Sequence, residues 1–79
     1  MATRAYILIE TAVGKTREVV DALTKWPELV QVDPVTGPYD IIAVLEANDL
    51  NAIGEVVAGK VHTIGGILRT VTCLSISGS

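Results

Sequence analysis

Apolar residues along this chain either gather in short continuous runs or recur at helical spacing, and the switches between the two patterns mark six elements. Arg4 to Thr11 (RAYILIET) is rich in β-branched and aromatic residues, which predicts a strand. Gly14 interrupts it. From Lys15 to Trp26 the spacing turns helical, with Val19, Leu23 and Trp26 on one face and Thr16 and Val20 beside them. Pro27 disfavours helical geometry at Trp26 and stops the run. Leu29 to Thr36 predicts a second strand, and Pro34 within it predicts a sheet edge, because proline cannot donate to a ladder. Gly37-Pro38 marks a turn, and Tyr39 to Glu46 predicts a third strand. Asn48 and Asp49 supply N-cap side chains for a second helix, whose apolar positions are Leu50, Ile53, Val57 and Val61. Gly65-Gly66 ends that helix, and Ile67 to Ile76 predicts the last strand.

The order β-α-β-β-α-β carries a weak internal echo. Tyr6 and Tyr39 open two apolar strands, Lys15 and Asn48 open the two helices, and the same offset separates both pairs. Two β-α-β halves of this kind build an α+β, ferredoxin-like sandwich. It has an antiparallel four-stranded sheet in the order 4-1-3-2, with both helices on one face. The 79 residues (1–79) leave room for one domain and one core. Neither central strand alternates apolar with polar. Ala5, Ile7 and Ile9 oppose Tyr6 and Leu8, while Tyr39, Ile41, Ala43 and Leu45 oppose Ile42 and Val44. A sheet with one wet face would alternate, so a second cover is expected. Two sheets stacked about 10 Å apart supply it. The expectation is a homodimer at least, a barrel-type pairing of two α/β units through their sheet faces.

Composition strengthens that expectation. The chain is 49% hydrophobic, more apolar surface than one small domain hides, since a domain near this length buries only about 60% of its unfolded surface. No apolar run approaches the roughly 20 residues of a membrane span. Met1-Ala2-Thr3-Arg4-Ala5 lacks the apolar core of a secretory signal. Net charge is −3 and the basic residues are scattered, which argues against direct nucleic-acid binding. The single cysteine, Cys73, excludes an internal disulfide and fits a reducing cytoplasm.

Candidate chemistry concentrates in two stretches, Val35-Thr36-Gly37-Pro38-Tyr39-Asp40-Ile41-Ile42 and Gly66-Ile67-Leu68-Arg69-Thr70-Val71-Thr72. An acid at the mouth of an apolar strand is costly unless it is solvated, paired or used, which singles out Asp40. The predicted topology brings Glu10, Gly37, Asp40 and Gly66 to one sheet edge, near the start of the first helix at Gly14-Lys15-Thr16. A helix N-terminus favours a carboxylate and an acid favours an ammonium group, so this edge suits a zwitterionic amino acid. Plainer roles stand beside that one. Gly37 also answers to a positive-φ turn, Asp40 to a loop cap bonded to backbone amides, and Thr70 and Thr72 to ordinary strand formers. Glu10 and Glu46 fall at opposite ends of the sheet, so they make no acid–base pair. His62 has no partner at metal-ligand spacing, Cys73 has no evident base, and Trp26 reads as a packing residue. The glycines match no dinucleotide or phosphate-loop pattern. No metal, cofactor or catalytic residue is expected.

With VTGPYDII before the third strand and GGILRTVT entering the fourth, nearly the whole chain resembles the effector (RAM) domain of the Lrp/AsnC family of transcription regulators. The resemblance implies a ferredoxin-like domain that dimerises through its sheets, often assembles into octamers, and binds an amino acid in clefts between dimers. It places Gly37, Tyr39 and Asp40 at the ligand turn, and Thr70 and Thr72 at polar positions of the last strand. Family members usually carry an N-terminal helix-turn-helix domain. With the first strand starting at Arg4, the expectation here is a stand-alone effector domain that acts on transcription by joining a full-length relative. The expected function is amino-acid binding and oligomerisation in the cytoplasm, without catalysis. A small dimeric ferredoxin-like enzyme of monooxygenase or isomerase type is one alternative, and a ligand-free assembly partner is the other.

Overall fold

The β-branched run near the N-terminus becomes the centre of the sheet. In the computed structural model, which describes residues 2–76, β1 (Thr3–Thr11) pairs on one side with β3 (Ile41–Ala47) and on the other with β4 (Ile67–Leu74). The strand β2 (Leu29–Pro34) closes the far edge on β3. All pairings are antiparallel and the order is β2-β3-β1-β4. With α1 (Thr16–Leu23) after β1 and α2 (Leu50–Gly59) after β3, this is the predicted ferredoxin-like arrangement. A short 3-10 turn, Val61–Thr63, links α2 to β4. Pro34 ends an edge strand, where its missing N–H costs no ladder bond.

Register puts Ala5, Ile7 and Ile9 of β1 and Ile41, Ala43 and Leu45 of β3 on one face, all fully buried. Val19 and Leu23 of α1, one helical turn apart, pack onto that face with Ile53 and Val56 of α2. Leu29 of β2 and Val61 belong to the same cluster, and the half-buried Trp26 packs against it. Burying each large aliphatic side chain contributes about 1.5–3 kcal/mol, so this face carries the cohesion of the fold.

Every element but β1 is shorter than the sequence predicts, for local reasons. The helix α1 ends at Leu23, not Trp26. The Thr24 hydroxyl donates to the Asp21 carbonyl at 3.0 Å, and the Trp26 N–H turns back to the Leu23 carbonyl at 3.1 Å. The last turn tightens before Pro27. The helix α2 starts as predicted, with Asp49 Oδ1 accepting the Ala52 N–H at 2.8 Å. It ends at Gly59, so Val61 reaches the core from the 3-10 turn and not from a helical face. The strand β2 stops at Pro34 instead of Thr36, β4 at Leu74 instead of Ile76, and β3 begins at Ile41 instead of Tyr39.

The opposite sheet face carries Tyr6 and Leu8 of β1, Ile42 and Val44 of β3, and Val71 and Cys73 of β4. No helix of the described residues covers it, and Tyr6, Val71 and Cys73 are exposed. Ion pairs stand at its two ends. Arg4 Nε donates to Glu46 Oε2 at 3.0 Å, and Arg69 Nε lies 3.4 Å from Glu10 Oε1. Glu10 and Glu46 thus sit at opposite ends of the sheet.

Candidate functional site

Asp40 ties together the chain segments that meet at one end of the sheet. Its Oδ2 accepts the Thr11 N–H at 2.8 Å and the Thr11 hydroxyl at 3.2 Å. Thr11 has a single hydroxyl proton, so the Thr16 hydroxyl, 2.8 Å away, donates to it. A hydrogen-bonded chain therefore runs from the first turn of α1, through the buried end of β1, to the mouth of β3. The Asp40 N–H donates to the Ile9 carbonyl at 2.9 Å, and its carbonyl accepts from Val35 N–H at 2.9 Å, closing the loop of residues 35–40. These bonds bend the chain at Asp40. Tyr39 consequently leaves the core face expected for it, and its ring lies 5.7 Å from the Arg69 guanidinium instead.

Gly37 sits exposed in this loop at φ +145, a conformation that disfavours any side chain. Gly66, at φ +98, accepts the Ala12 N–H at 2.8 Å. A Cβ there would stand 3.1 Å from Lys15 Cβ and 3.2 Å from Val19 Cγ2. Glycine is what lets the start of β4 pass beneath α1. Glu10, Gly37, Asp40 and Gly66 therefore gather at one sheet end, as the topology predicts.

Thr70 and Thr72 stand apart from Asp40. In register they oppose Ile9 and Ile7, which places them on the helix-facing side of β4. The strand β1 lies between them and β3, a separation of roughly 10 Å, or two strand spacings. The principal helix contacts are to β2, β3 and β1. This flank of β4 is left open, with Thr70 half-buried and Thr72 and Leu74 exposed. Sequence reasoning missed one member of the flank. His62, on the 3-10 turn, places Nε2 3.1 Å from Thr70 Oγ1. Nothing in the spacing of His62 and Thr70 signals that contact, because the Gly65-Gly66 reversal creates it.

A second polar cluster lies at the Glu46 end of the sheet. Lys60 donates to Glu28 Oε2 at 2.8 Å, and its Nζ sits 5.0 Å from the centre of the Trp26 ring. The Lys60 hydrogen bond holds the Glu28 carboxyl below the usual carboxylate range. Glu28 and Lys60 border a cleft of about 450 Å³ lined also by Glu46, Asn48 and Glu55. Among the described residues no group of three His, Cys, Asp or Glu is placed to hold a metal. No helix among them is long and apolar enough to cross a membrane.

The sequence pattern of the Lrp/AsnC ligand binding domain matches residues 4–78. The chain belongs to this family. An uncharacterised HTH-type transcriptional regulator of Pyrococcus abyssi is 34% identical over 73 residues, which cover 92% of this chain and 46% of that protein. The Lrp/AsnC chain described here thus spans about half the length of such relatives. Among solved structures, a hypothetical protein of Pyrococcus horikoshii is 34% identical with a TM-score of 0.88, covering 96% of this chain and 90% of that one. A transcriptional regulator of Neisseria meningitidis, solved as its L-Met complex, shares the fold at 20% identity. Its TM-score is 0.86, with 96% of this chain and 51% of that one covered.

Proposed function

We propose that this Lrp/AsnC domain binds a free amino acid and assembles through its open sheet face, modulating transcription or amino-acid metabolism without catalysing a reaction. The observation that carries the reading is the sheet end built around Asp40. An exposed loop with Gly37 in it gives a ligand close access to backbone, and Tyr39 and Asp40 follow directly. Among the described residues no donor reaches Asp40 Oδ1, so one carboxylate oxygen remains for an ammonium group. Thr70 and Thr72 add hydroxyls on the neighbouring open flank. A regulator of the same fold solved with L-Met supports an amino acid as the ligand class. The apolar strip of Tyr6, Leu8, Ile42, Val44 and Val71, framed by ion pairs, suits a second copy of the same face. The cytoplasm, where regulators and free amino acids meet, is the proposed compartment.

One observation favours a second reading. Asp40 Oδ2 is committed to Thr11, so the carboxylate already has a structural role without any ligand. In that reading the domain only assembles, in homo-oligomers or with a full-length relative that reads DNA. A thermal-shift screen of the twenty L-amino acids separates the two. A ligand at 100 times its Kd adds about 2.7 kcal/mol, a shift of several degrees for a domain of this size. A selective shift that Asp40→Asn abolishes supports the sensor. If no amino acid raises the Tm of the unaltered chain, the sensor reading fails and assembly remains.

A further inference from the structure

We propose that the cleft between the start of α1 and the end of β2 receives the carboxylate and the side chain of the amino acid whose ammonium group lies on Asp40, with Arg17 binding the carboxylate. The inference deepens the amino-acid-binding reading and rests on it.

The cleft has a volume of about 580 Å³ and is lined by Thr16, Arg17, Val20 and Asp21 of α1 and by Pro34 of β2. Sites for small molecules run from about 300 to 1,000 Å³, so it has room for an amino acid. Both of its walls are tied to Asp40. On the helix side, the Thr16 hydroxyl lies 2.8 Å from that of Thr11, which donates to Asp40 Oδ2 at 3.2 Å. On the strand side, Pro34 opposes Ile41, and the N–H of Val35, the next residue, donates to the Asp40 carbonyl at 2.9 Å. Only two hydrogen bonds in series separate the lining of the cleft from the Asp40 carboxylate.

A zwitterion held by its ammonium group still needs a cation for its carboxylate. Arg4, Lys15, Lys60 and Arg69 are already in ion pairs, with Glu46, Glu18, Glu28 and Glu10. Among the described residues Arg17 and Lys25 have no such partner, and Arg17 is the one that lines this cleft. A guanidinium receives a carboxylate through two parallel N–H donors, and Arg17 is exposed and free to do so. Thr16 and Val20 stand one helical turn apart, as do Arg17 and Asp21, so the four share a face of α1. Val20 is half-buried and packed against the core, which fixes an apolar floor opposite Pro34. Asp21 is the one acid of the lining, a turn beyond Arg17, and would repel a negative side chain. The cleft therefore selects an amino acid whose side chain is apolar near the backbone and not acidic.

The test uses the amino acid with the largest thermal shift among the twenty, together with its carboxamide, which keeps the ammonium group and loses the negative charge. Each Kd is measured calorimetrically on the full chain. The unaltered chain should bind the amide at least about tenfold more weakly than the acid, the loss of one charged hydrogen-bonded contact. Arg17→Gln should weaken the acid by that same factor and leave the amide unchanged, because both changes remove one interaction. The ligand-free Tm should not move, since Arg17 is exposed and unpaired. Asp21→Asn should strengthen the weak binding of aspartate and glutamate several-fold. Equal losses for acid and amide in Arg17→Gln, or no loss for either, overturn the assignment while leaving amino-acid binding standing; so does an acidic amino acid as the strongest ligand. Binding that survives Arg17→Gln and falls in Thr70→Val puts the amino acid on the β4 flank and overturns the cleft. If the unaltered chain binds none of the twenty, the binding reading fails and this one falls with it.

Discussion

Gly66→Ala tests the packing of the sheet end most directly, because two separate costs coincide at that position. The first is conformational. At φ +98 an alanine meets the steric penalty that L residues carry on the positive side, about 1–2 kcal/mol. The second is space. The new methyl would stand 3.1 Å from Lys15 Cβ and 3.2 Å from Val19 Cγ2, tighter than ordinary van der Waals contact. Val19 has no exposed surface into which to retreat, and Lys15 Cβ is fixed to the backbone at the start of α1. Crowding of this kind costs about 1–3 kcal/mol. The sum is about 2–5 kcal/mol, or a fall in Tm of at least about 10 °C for a domain of this size.

Two other glycines separate the terms. Gly37→Ala carries the positive φ (+145) with nothing within 4 Å of the new Cβ, so only the conformational cost applies. Gly65→Ala has neither and should change stability by less than about 0.5 kcal/mol. Urea unfolding followed by Trp26 fluorescence measures all three, at one fixed protein concentration so that assembly contributes equally. The expected order of loss is Gly66, then Gly37, then Gly65. A Gly66→Ala chain as stable as Gly65→Ala would refute the close approach of β4 to α1.

Asp40→Ala leaves the buried Thr11 N–H without its acceptor and should cost about 1–3 kcal/mol; Asp40→Asn, which keeps one carbonyl oxygen, should cost clearly less in the same unfolding assay. The Glu28 carboxyl titrates lower in the folded chain than in the unfolded one, so its contribution is present above the ordinary carboxylate range and fades as pH falls through and below it. Acid titration of stability should therefore show a drop between about pH 5 and 3 that is shallower in Glu28→Gln. Leu8→Glu on the open sheet face should leave the monomer fold intact by circular dichroism and yet lower the sedimentation coefficient from that of a dimer to that of a monomer. Unchanged sedimentation would place the interface elsewhere.

The fold was legible because its signals are local. Short β-branched and aromatic runs bounded by turn residues made the strands, the Val19 and Leu23 spacing made α1, the Asp49 cap opened α2, and Pro34 marked the edge. Boundaries were less legible because tertiary bonds set them. Tyr39 belongs to an apolar run in the sequence, but Asp40 bends the chain through Ile9, Val35 and Thr11, and no residue near Tyr39 announces those partners. The site divided in the same way. The meeting of Glu10, Gly37, Asp40 and Gly66 follows from topology alone. The Thr16–Thr11–Asp40 chain and the His62–Thr70 contact depend on side-chain directions that only the folded backbone defines.

Strand alternation gives β4 a double role that neither reading predicts alone. Thr70 and Thr72 point to the helix side, while Arg69, Val71 and Cys73, interleaved with them, point to the open face. An amino acid on one side and a second copy of the chain on the other would contact successive residues of the same edge strand. That strand is held by a single ladder, to β1. If either occupant displaces β4, the contact residues of the other face, one position along the strand, move with it. If an amino acid binds the assembled chain more tightly by some factor, thermodynamic linkage requires each bound amino acid to strengthen assembly by that same factor, so a dimer with both sites filled gains its square. Sedimentation of the dimer with and without the amino acid measures one side of this equality, and calorimetry above and below the dissociation constant measures the other. Binding that is indifferent to assembly would mean that β4 transmits nothing between its faces.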